Sequence, residues 1–267
     1  MNTRHDNHNA WQTWVAPHVA SAFYDVAGFK AGRDSLSHVE RDALGDVRGR
    51  SLLHVQCHFG MDTLSWARHG AVVTGVDFSS NAIAAARKLA GEINVPATFI
   101  ESDVYRLREN LNAQFDIVFT GIGAIGWLDD IDQWARIVAH FVKPGGRFFL
   151  FEAHPFSQVF EYETVAPAWN VSRSYFDSQF PESATESGSY AEPSGTYTAT
   201  THFWLHELGR IITALGKAGL SITELQEHPF VAWPAFPWLE KRDDGFWHIP
   251  ANMKSQPLTF SLLAEKR

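Results

Sequence analysis

The chain has 267 residues, 30 Asp+Glu against 22 Lys+Arg, a formal net charge of −8 and 45% hydrophobic residues. That apolar content excludes a disordered or collagen-like chain and allows one large domain. The acidic balance, with no Lys/Arg run longer than two, argues against nucleic acid or an anionic membrane as partner, since both call for a concentrated basic face.

Residues 1–45 are expected as a helical cap. Trp11, Trp14, Val15 and His18 recur at helical spacing, and Ala22, Phe23 and Val26 extend the apolar face before Gly28 and Gly32 break it. A second helix is predicted over Leu36–Leu44, stopped by Gly45. From Arg50 the pattern changes. Short apolar runs at Leu52–Gln56, Ala71–Val76, Ala97–Ile100, Asp116–Phe119 and Arg147–Phe151 are predicted as buried strands. Helices are predicted between them at Asp62–His69, Asn81–Ala90 and Asp129–Phe141, the second capped by Ser79 or Ser80. Strands alternating with helices at this pitch imply βαβ units and a parallel sheet.

Residues 155–200 carry Pro, Ser, Gly and Tyr without a period. Their aromatic residues favour a packed lid. A helix is then predicted over Thr201–Ala218, a strand over Ser221–His228, an excursion over Ala232–Gln256 and a last strand over Pro257–Glu265. The single cysteine, Cys57, forbids an intrachain disulfide and fits a reducing compartment. The polar N-terminus and the absence of a ~20-residue apolar stretch give a cytoplasmic expectation.

In such a sheet, ligands sit outside the carboxyl ends of the strands. Asp77, 21 residues beyond Gln56, ends the second strand, where an acid can accept both hydroxyls of a ribose. Asp103 follows the third strand, where a carboxylate can accept from an adenine amine. Thr120-Gly121-Ile122-Gly123 follows the fourth and keeps backbone close to a ligand.

The runs LLHVQCHFG, VVTGVDFS, ATFIESDV, FDIVFTGIGAIGWL and KPGGRFFLFEAH, in this order, resemble the class I S-adenosylmethionine-dependent methyltransferases. The resemblance covers roughly Ser51–Glu152 and the terminal helix–strand–strand. It implies an α/β fold: a seven-stranded, mostly parallel Rossmann-like sheet with helices on both faces. An N-terminal cap (1–45) would precede a methyltransferase domain (46–267), with a lid of about 155–200 after the fifth strand and the last strand inserted antiparallel. It implies S-adenosylmethionine as cofactor, S-adenosylhomocysteine as product, and a small-molecule acceptor methylated at an amine or a hydroxyl by a monomer or homodimer.

The family's first loop usually reads acid-x-Gly-x-Gly-x-Gly. Here His54 stands at the acid position and Gln56 and His58 at the first two glycines, leaving only Gly60. Carried over position by position, the cofactor residues would be Arg33, Gln56, Cys57, His58, Gly60, Asp77, Phe78, Ser79, Asp103, Val104, Thr120, Gly121 and Ile122. Arg33 would pair with the cofactor carboxylate through its guanidinium fork. His154, after the fifth strand, is the candidate general base, since a histidine titrates near ~6.5. Tyr24, Trp127, Trp169 and Trp204 are expected against the acceptor. Seven of the lid's residues between 155 and 209 are acids (Glu161, Glu163, Asp177, Glu182, Glu186, Glu192, Glu207) against Arg173 alone, which suits an amine. No metal is expected, because His54 and His58 lack a third ligand nearby. Two other classes share parts of this pattern. A nicotinamide oxidoreductase would show G-x-G-x-x-G after the first strand, and a non-catalytic regulatory protein would keep the fold without the pocket.

Overall fold

The computed structural model describes residues 2–163, 165–176 and 179–267. Three helices lead: α1 (Thr3–Ala20), α2 (Val26–Lys30) and α3 (His38–Leu44). The alternating part follows as β1 (Ser51–Val55), α4 (Met61–Arg68), β2 (Val72–Asp77), α5 (Ser80–Glu92), β3 (Thr98–Glu101), α6 (Leu107–Asn110), β4 (Phe115–Thr120), α7 (Ile131–Phe141) and β5 (Val142–Ala153). A hairpin of β6 (Glu182–Ser187) and β7 (Thr198–Phe203) lies in the lid. Then come α8 (Leu208–Lys217), β8 (Leu220–His228), the short strands β9 (Phe230–Val231), β10 (Glu240–Lys241) and β11 (Trp247–His248), and β12 (Thr259–Lys266).

The seven-stranded sheet has the order β3-β2-β1-β4-β5-β12-β8. Strands β1 to β5 pair in parallel, and β12 runs antiparallel to both neighbours. Successive residues of a strand point to opposite faces. Leu53, Val118, Phe148 and Leu150 therefore pack on Trp134 and Val138 of α7 and Leu215 of α8. Leu52, Phe119, Phe149 and Phe151 pack on Trp66 of α4 and Val39 and Leu44 of α3. Both faces are covered, which is why the strands read as continuous apolar runs. Because β1 pairs with both β2 and β4, the chain reverses direction across the sheet there, and the crevice above that reversal is the place for a ligand.

Two expectations are corrected. The helix predicted over Thr201–Ala218 is split: its first residues belong to β7, and only Leu208–Lys217 is helical. Thr198, Thr200 and Thr201 are branched at Cβ and stiff, which favours a strand, and the pairing from Glu182↔Phe203 to Ser187↔Thr198 fixes it. The apolar face of α8 runs from Leu208 through Ile211 to Leu215. The fifth strand also starts earlier than predicted, because the Lys143-Pro144-Gly145-Gly146 turn is absorbed into β5 as an irregularity opposite Phe115–Ile117. In the lid, Phe160 and Trp169 pack with Phe236, Trp238 and Leu239 of the excursion, whereas Phe176 and Phe180 are exposed. Asp177 lies outside the described residues.

Candidate active site

The loop after β1 carries the clearest backbone signature. Gln56, His58 and Gly60 have φ of 61°, 51° and 81°. The left-handed region is the natural territory of glycine and is disfavoured for other L-residues. Gln56 and His58 thus keep the backbone shape of the glycines they stand in for, while adding side chains. Surrounding bonds hold the shape. Cys57 N–H donates to Val76 O at 2.8 Å, Gly60 N–H to Cys57 O at 2.9 Å, and Gln56 Nε2 to Ala124 O at 2.9 Å. Cys57 is buried with Phe59 and Phe99, and burial pushes its thiol pKa up, so it is an inert packing residue.

Asp77 ends β2 almost wholly buried. Its Oδ2 accepts the His58 N–H at 2.8 Å and its Oδ1 the Ser79 N–H at 2.9 Å. Burial raises its pKa to about 6, against the pull of those N–H groups. Ser79 caps α5 by accepting from Ala82 N–H, and the Phe78 ring meets His8 edge-on. Asp103 accepts the Tyr105 N–H through Oδ1, and Val104 is buried beside it. Thr120, Gly121 and Ile122 leave β4 above β1. Gly121 faces His54 and Asp62, each 3.6 Å from where a Cβ would stand. Burial keeps His54 neutral, with a pKa near 3, and its Nδ1 contacts the Thr63 hydroxyl at 2.9 Å.

Helix α1 straps this edge shut. Gln12 accepts from the Ser79 hydroxyl at 2.6 Å and donates to Ser80 Oγ at 2.8 Å, on the β2 side. Arg4 donates to Asp129 at 2.9 Å, beyond β4. Asn7 exchanges two 2.8 Å bonds with the backbone of His202 in the lid, and Asp6 contacts the His202 ring at 3.0 Å. Beneath the strap lies a cluster of rings. Trp11 lies 5.1 Å from His58 and 5.3 Å from Trp127, between centroids. His18 lies 5.2 Å from His58 and 4.8 Å from Tyr190. The hydroxyls of Tyr24 and Tyr190 are hydrogen-bonded to each other. Several buried polar atoms around this cluster have no partner among the described residues: Trp14 Nε1, His18 Nδ1, Gln56 Oε1, His58 Nε2 and Thr120 Oγ1. Buried polar groups are rarely left unpaired; these five lie on α1 and at the ends of β1 and β4, whereas Trp66, Trp134, Trp169, His206 and Trp238 carry such atoms elsewhere.

The structure brings Tyr24 and Trp127 to this cluster and takes other nominated residues elsewhere. Arg33 is held by Asp25 (Nε–Oδ2 3.1 Å) and by the carbonyl of Tyr24 (2.6 Å). His154 Nδ1 accepts the Phe156 N–H at 3.0 Å, and its Nε2 donates to Glu227 on β8 at 2.8 Å, so neither nitrogen is free. Trp169 sits in the packed part of the lid. Trp204 lines a separate crevice of only about 10 Å³ with Glu152, Gln158 and His206. Glu163 and Glu186 are exposed and Glu182 pairs with Arg173, so these lid acids lie on the outside.

Two residues were missed. Asp62, in the first turn of α4, is raised to about 6 by burial and faces Gly121; an acid that opens the helix after the first strand was its only signal. Glu152, buried at the end of β5, accepts four backbone N–H groups, those of Gly123, Ala124, Ile125 and Ala153, at 2.7–3.0 Å. It shapes the loop after β4; its place at the end of the fifth strand could be read from the sequence, but this role could not.

Comparison with known proteins agrees with this architecture. Residues 53–148 match a family model described as a methyltransferase domain. A ubiquinone biosynthesis O-methyltransferase from Photorhabdus laumondii is 33% identical over 105 residues, 39% of this chain and 43% of that protein. One from Proteus mirabilis is 30% identical over 136 residues, 49% and 55% of the two chains. The chain thus spans about half the length of the curated relatives it matches. Among solved structures, an S-adenosylmethionine-dependent methyltransferase from Mesorhizobium loti superposes with a TM-score of 0.60 at 20% identity, over 89% of this chain and 100% of the other. The glycopeptide N-methyltransferase MtfA complexed with sinefungin gives 0.56 at 16% identity, over 89% and 88%. These likenesses share the fold. Residues 53–148 thus carry a methyltransferase domain, and the chain has the fold of S-adenosylmethionine-dependent methyltransferases, whose cofactor is S-adenosylmethionine. Among the described residues no helix is long and apolar enough to cross a membrane, and no group of three or more His, Cys, Asp or Glu is placed to hold a metal.

Proposed function

We propose that the protein methylates a small, ring-bearing molecule at a hydroxyl or an amine, beneath α1. The observation that carries this reading is the set of unpartnered buried polar atoms at the carboxyl ends of β1 and β4, roofed by Trp, Tyr and His rings. S-adenosylmethionine, when bound, supplies an activated methyl group on a sulfonium. The chain supplies the rest. Asp77 offers remaining lone pairs to ribose hydroxyls, and Asp103 keeps Oδ2 for an adenine amine. Gln56 Oε1 and Thr120 Oγ1 are acceptors suited to an amino group. Arg33 reaches a carboxylate only by exchanging its Asp25 partner.

Helix α1 excludes water and the aromatic walls hold the acceptor in line, which is where the rate gain of such a displacement arises. The walls also set the acceptor class. They present π-faces and neutral hydrogen-bonding groups, which suits a phenol or arylamine. The O-methyltransferase names of the relatives support oxygen, and the N-methyltransferase neighbour supports nitrogen. A dinucleotide reading is disfavoured, because the side chains of Gln56 and His58 stand where a pyrophosphate would need bare backbone.

Calorimetry with S-adenosylhomocysteine and NAD, followed by mass spectrometry of phenols and arylamines incubated with S-adenosylmethionine, tests the reading. Binding of the sulfur compound and methyl gain by an acceptor are expected. Binding of NAD alone would overturn it.

A further inference from the structure

Methylation of a hydroxyl or an amine nitrogen releases one proton per turnover, which must pass from the ring cluster beneath α1 to solvent. His154 has both nitrogens engaged. The ring of His58 packs against Trp11, Tyr24, Phe59 and His18, and its Nε2 has no partner among the described residues to pass a proton to. His18 differs because the two edges of its ring face different places. Its Nδ1 is buried among the aromatic walls without a partner. Its Nε2 lies 3.0 Å from Ser189 Oγ. Ser189 Oγ in turn accepts from the Tyr197 hydroxyl at 3.0 Å. Ser189 and Tyr197 are only half-buried, at the lid's edge. One imidazole thus spans the distance from the ring cluster to the half-buried lid edge.

We propose, resting on the methyl-transfer reading above, that His18 is a proton relay from the methyl acceptor to the lid. The acceptor's O–H or N–H bond breaks as an N–H bond forms at Nδ1. The Nε2–H bond breaks as its proton passes to Ser189 Oγ, whose own proton leaves to solvent. The ring stays neutral throughout and only exchanges tautomers, and water restores the first tautomer after product leaves. Burial supports this form of transfer, since it lowers the His18 pKa to about 4 and disfavours a stored imidazolium. Of the titratable groups facing the ring, His58 and Tyr24 are pushed by the same burial toward their neutral forms, and the Tyr190 hydroxyl is hydrogen-bonded to that of Tyr24. Trp14 stacks on the ring at 5.9 Å and fixes its plane.

The test uses 4-methylcatechol and 4-toluidine as acceptor probes, with S-adenosylhomocysteine affinity as a control. In His18→Gln, kcat on the accepted probe should fall at least about 100-fold, and in Ser189→Ala about tenfold, typical of a lost proton-transfer group. Affinity for S-adenosylhomocysteine should stay within about threefold in both, because neither residue is among the proposed cofactor contacts. A solvent deuterium isotope effect on kcat should be present in the wild type and vanish in His18→Gln. External imidazole should restore part of the rate to His18→Gly. Unchanged kcat in His18→Gln would overturn the relay alone. A loss matched by lost S-adenosylhomocysteine binding, without imidazole rescue, would assign His18 a structural role and also overturn it. A wild-type protein that binds S-adenosylhomocysteine but methylates neither probe would overturn the acceptor class, and the relay with it.

Discussion

The backbone N–H of His58 donates to Oδ2 of Asp77 at 2.8 Å. The acid at the end of β2 is therefore a strut for the loop after β1 as well as the proposed acceptor for ribose hydroxyls. The two roles respond to pH together. Burial raises the Asp77 pKa from 3.8 to about 6. A ribose hydroxyl donates to the ionised carboxylate, and a proton on the acid removes an acceptor site. Affinity for S-adenosylhomocysteine should therefore fall as pH drops through about 6. The folding contribution has the opposite sign. A carboxyl whose folded pKa is raised stabilises the fold below its unfolded value, and that contribution is lost as pH rises through about 6. Asp77→Asn brings an amide N–H toward the donors His58 or Ser79, so binding at pH 7 should weaken by about tenfold or more, as for a lost charged hydrogen bond. The pH dependence near 6 should vanish with it. Calorimetry at pH 5, 6, 7 and 8 on both proteins checks each point.

Gln56 stands at φ 61° with its amide bonded to Ala124 O. Outside this backbone region alanine is the better residue than glycine; here the order should reverse. Gln56→Ala loses the hydrogen bond, about 1 kcal/mol, and keeps the left-handed strain. Gln56→Gly loses the same bond and relieves the strain, of order 1 kcal/mol, at some gain in unfolded-chain freedom. The glycine variant should therefore be the more stable of the two in thermal unfolding. An alanine variant equal to or above it would show that the loop relaxes out of this conformation.

The sheet was legible in the chain because each central strand is a continuous apolar run with a turn on either side, and both features are local. The lid was not. Strand β6 is almost wholly exposed, so its pairing with β7 leaves no hydrophobic trace. Of the nominated residues, Asp77 could be placed because it ends a strand, and Gln56 and His58 because they stand at the glycine positions of the family loop they resemble. The aromatic cluster joins residues from Trp11 to Tyr190, and contacts across such separations leave no period to read. The same holds for His154, whose partner Glu227 lies 73 positions away on another strand.

Glu152 accepts N–H groups from Gly123, Ala124, Ile125 and Ala153 while nearly fully buried. Four charge-assisted bonds converge on one side chain, and the loop they hold leads into Trp127 of the ring cluster. Glu152→Gln keeps shape but replaces one acceptor oxygen with an N–H₂ that faces N–H donors. The expected loss is about 3 kcal/mol, the range for buried charged hydrogen bonds left unmade. Denaturant unfolding should show it as a lower midpoint with unchanged slope. If stability holds while Trp127 fluorescence shifts, the loop has found a second arrangement and the strut is dispensable.

His154 offers the sharpest separation of structure from chemistry. With Nδ1 accepting from Phe156 and Nε2 donating to Glu227, the ring ties the end of β5 to β8. Glu227 is about half-exposed, so the pair itself contributes modestly. The ring is buried, and burial lowers its pKa, with Glu227 opposing the shift. His154→Ala removes a buried ring and leaves the Phe156 N–H unpaired, which should destabilise the fold by about 2 kcal/mol. Methyl transfer by the remaining folded protein should stay within about threefold of wild type, since no atom that takes a proton is lost. Measured at a temperature where both proteins are folded, a kcat drop of 100-fold or more, with S-adenosylhomocysteine binding intact, would return His154 to the role of general base. It would also mean that the bond to Glu227 opens during turnover.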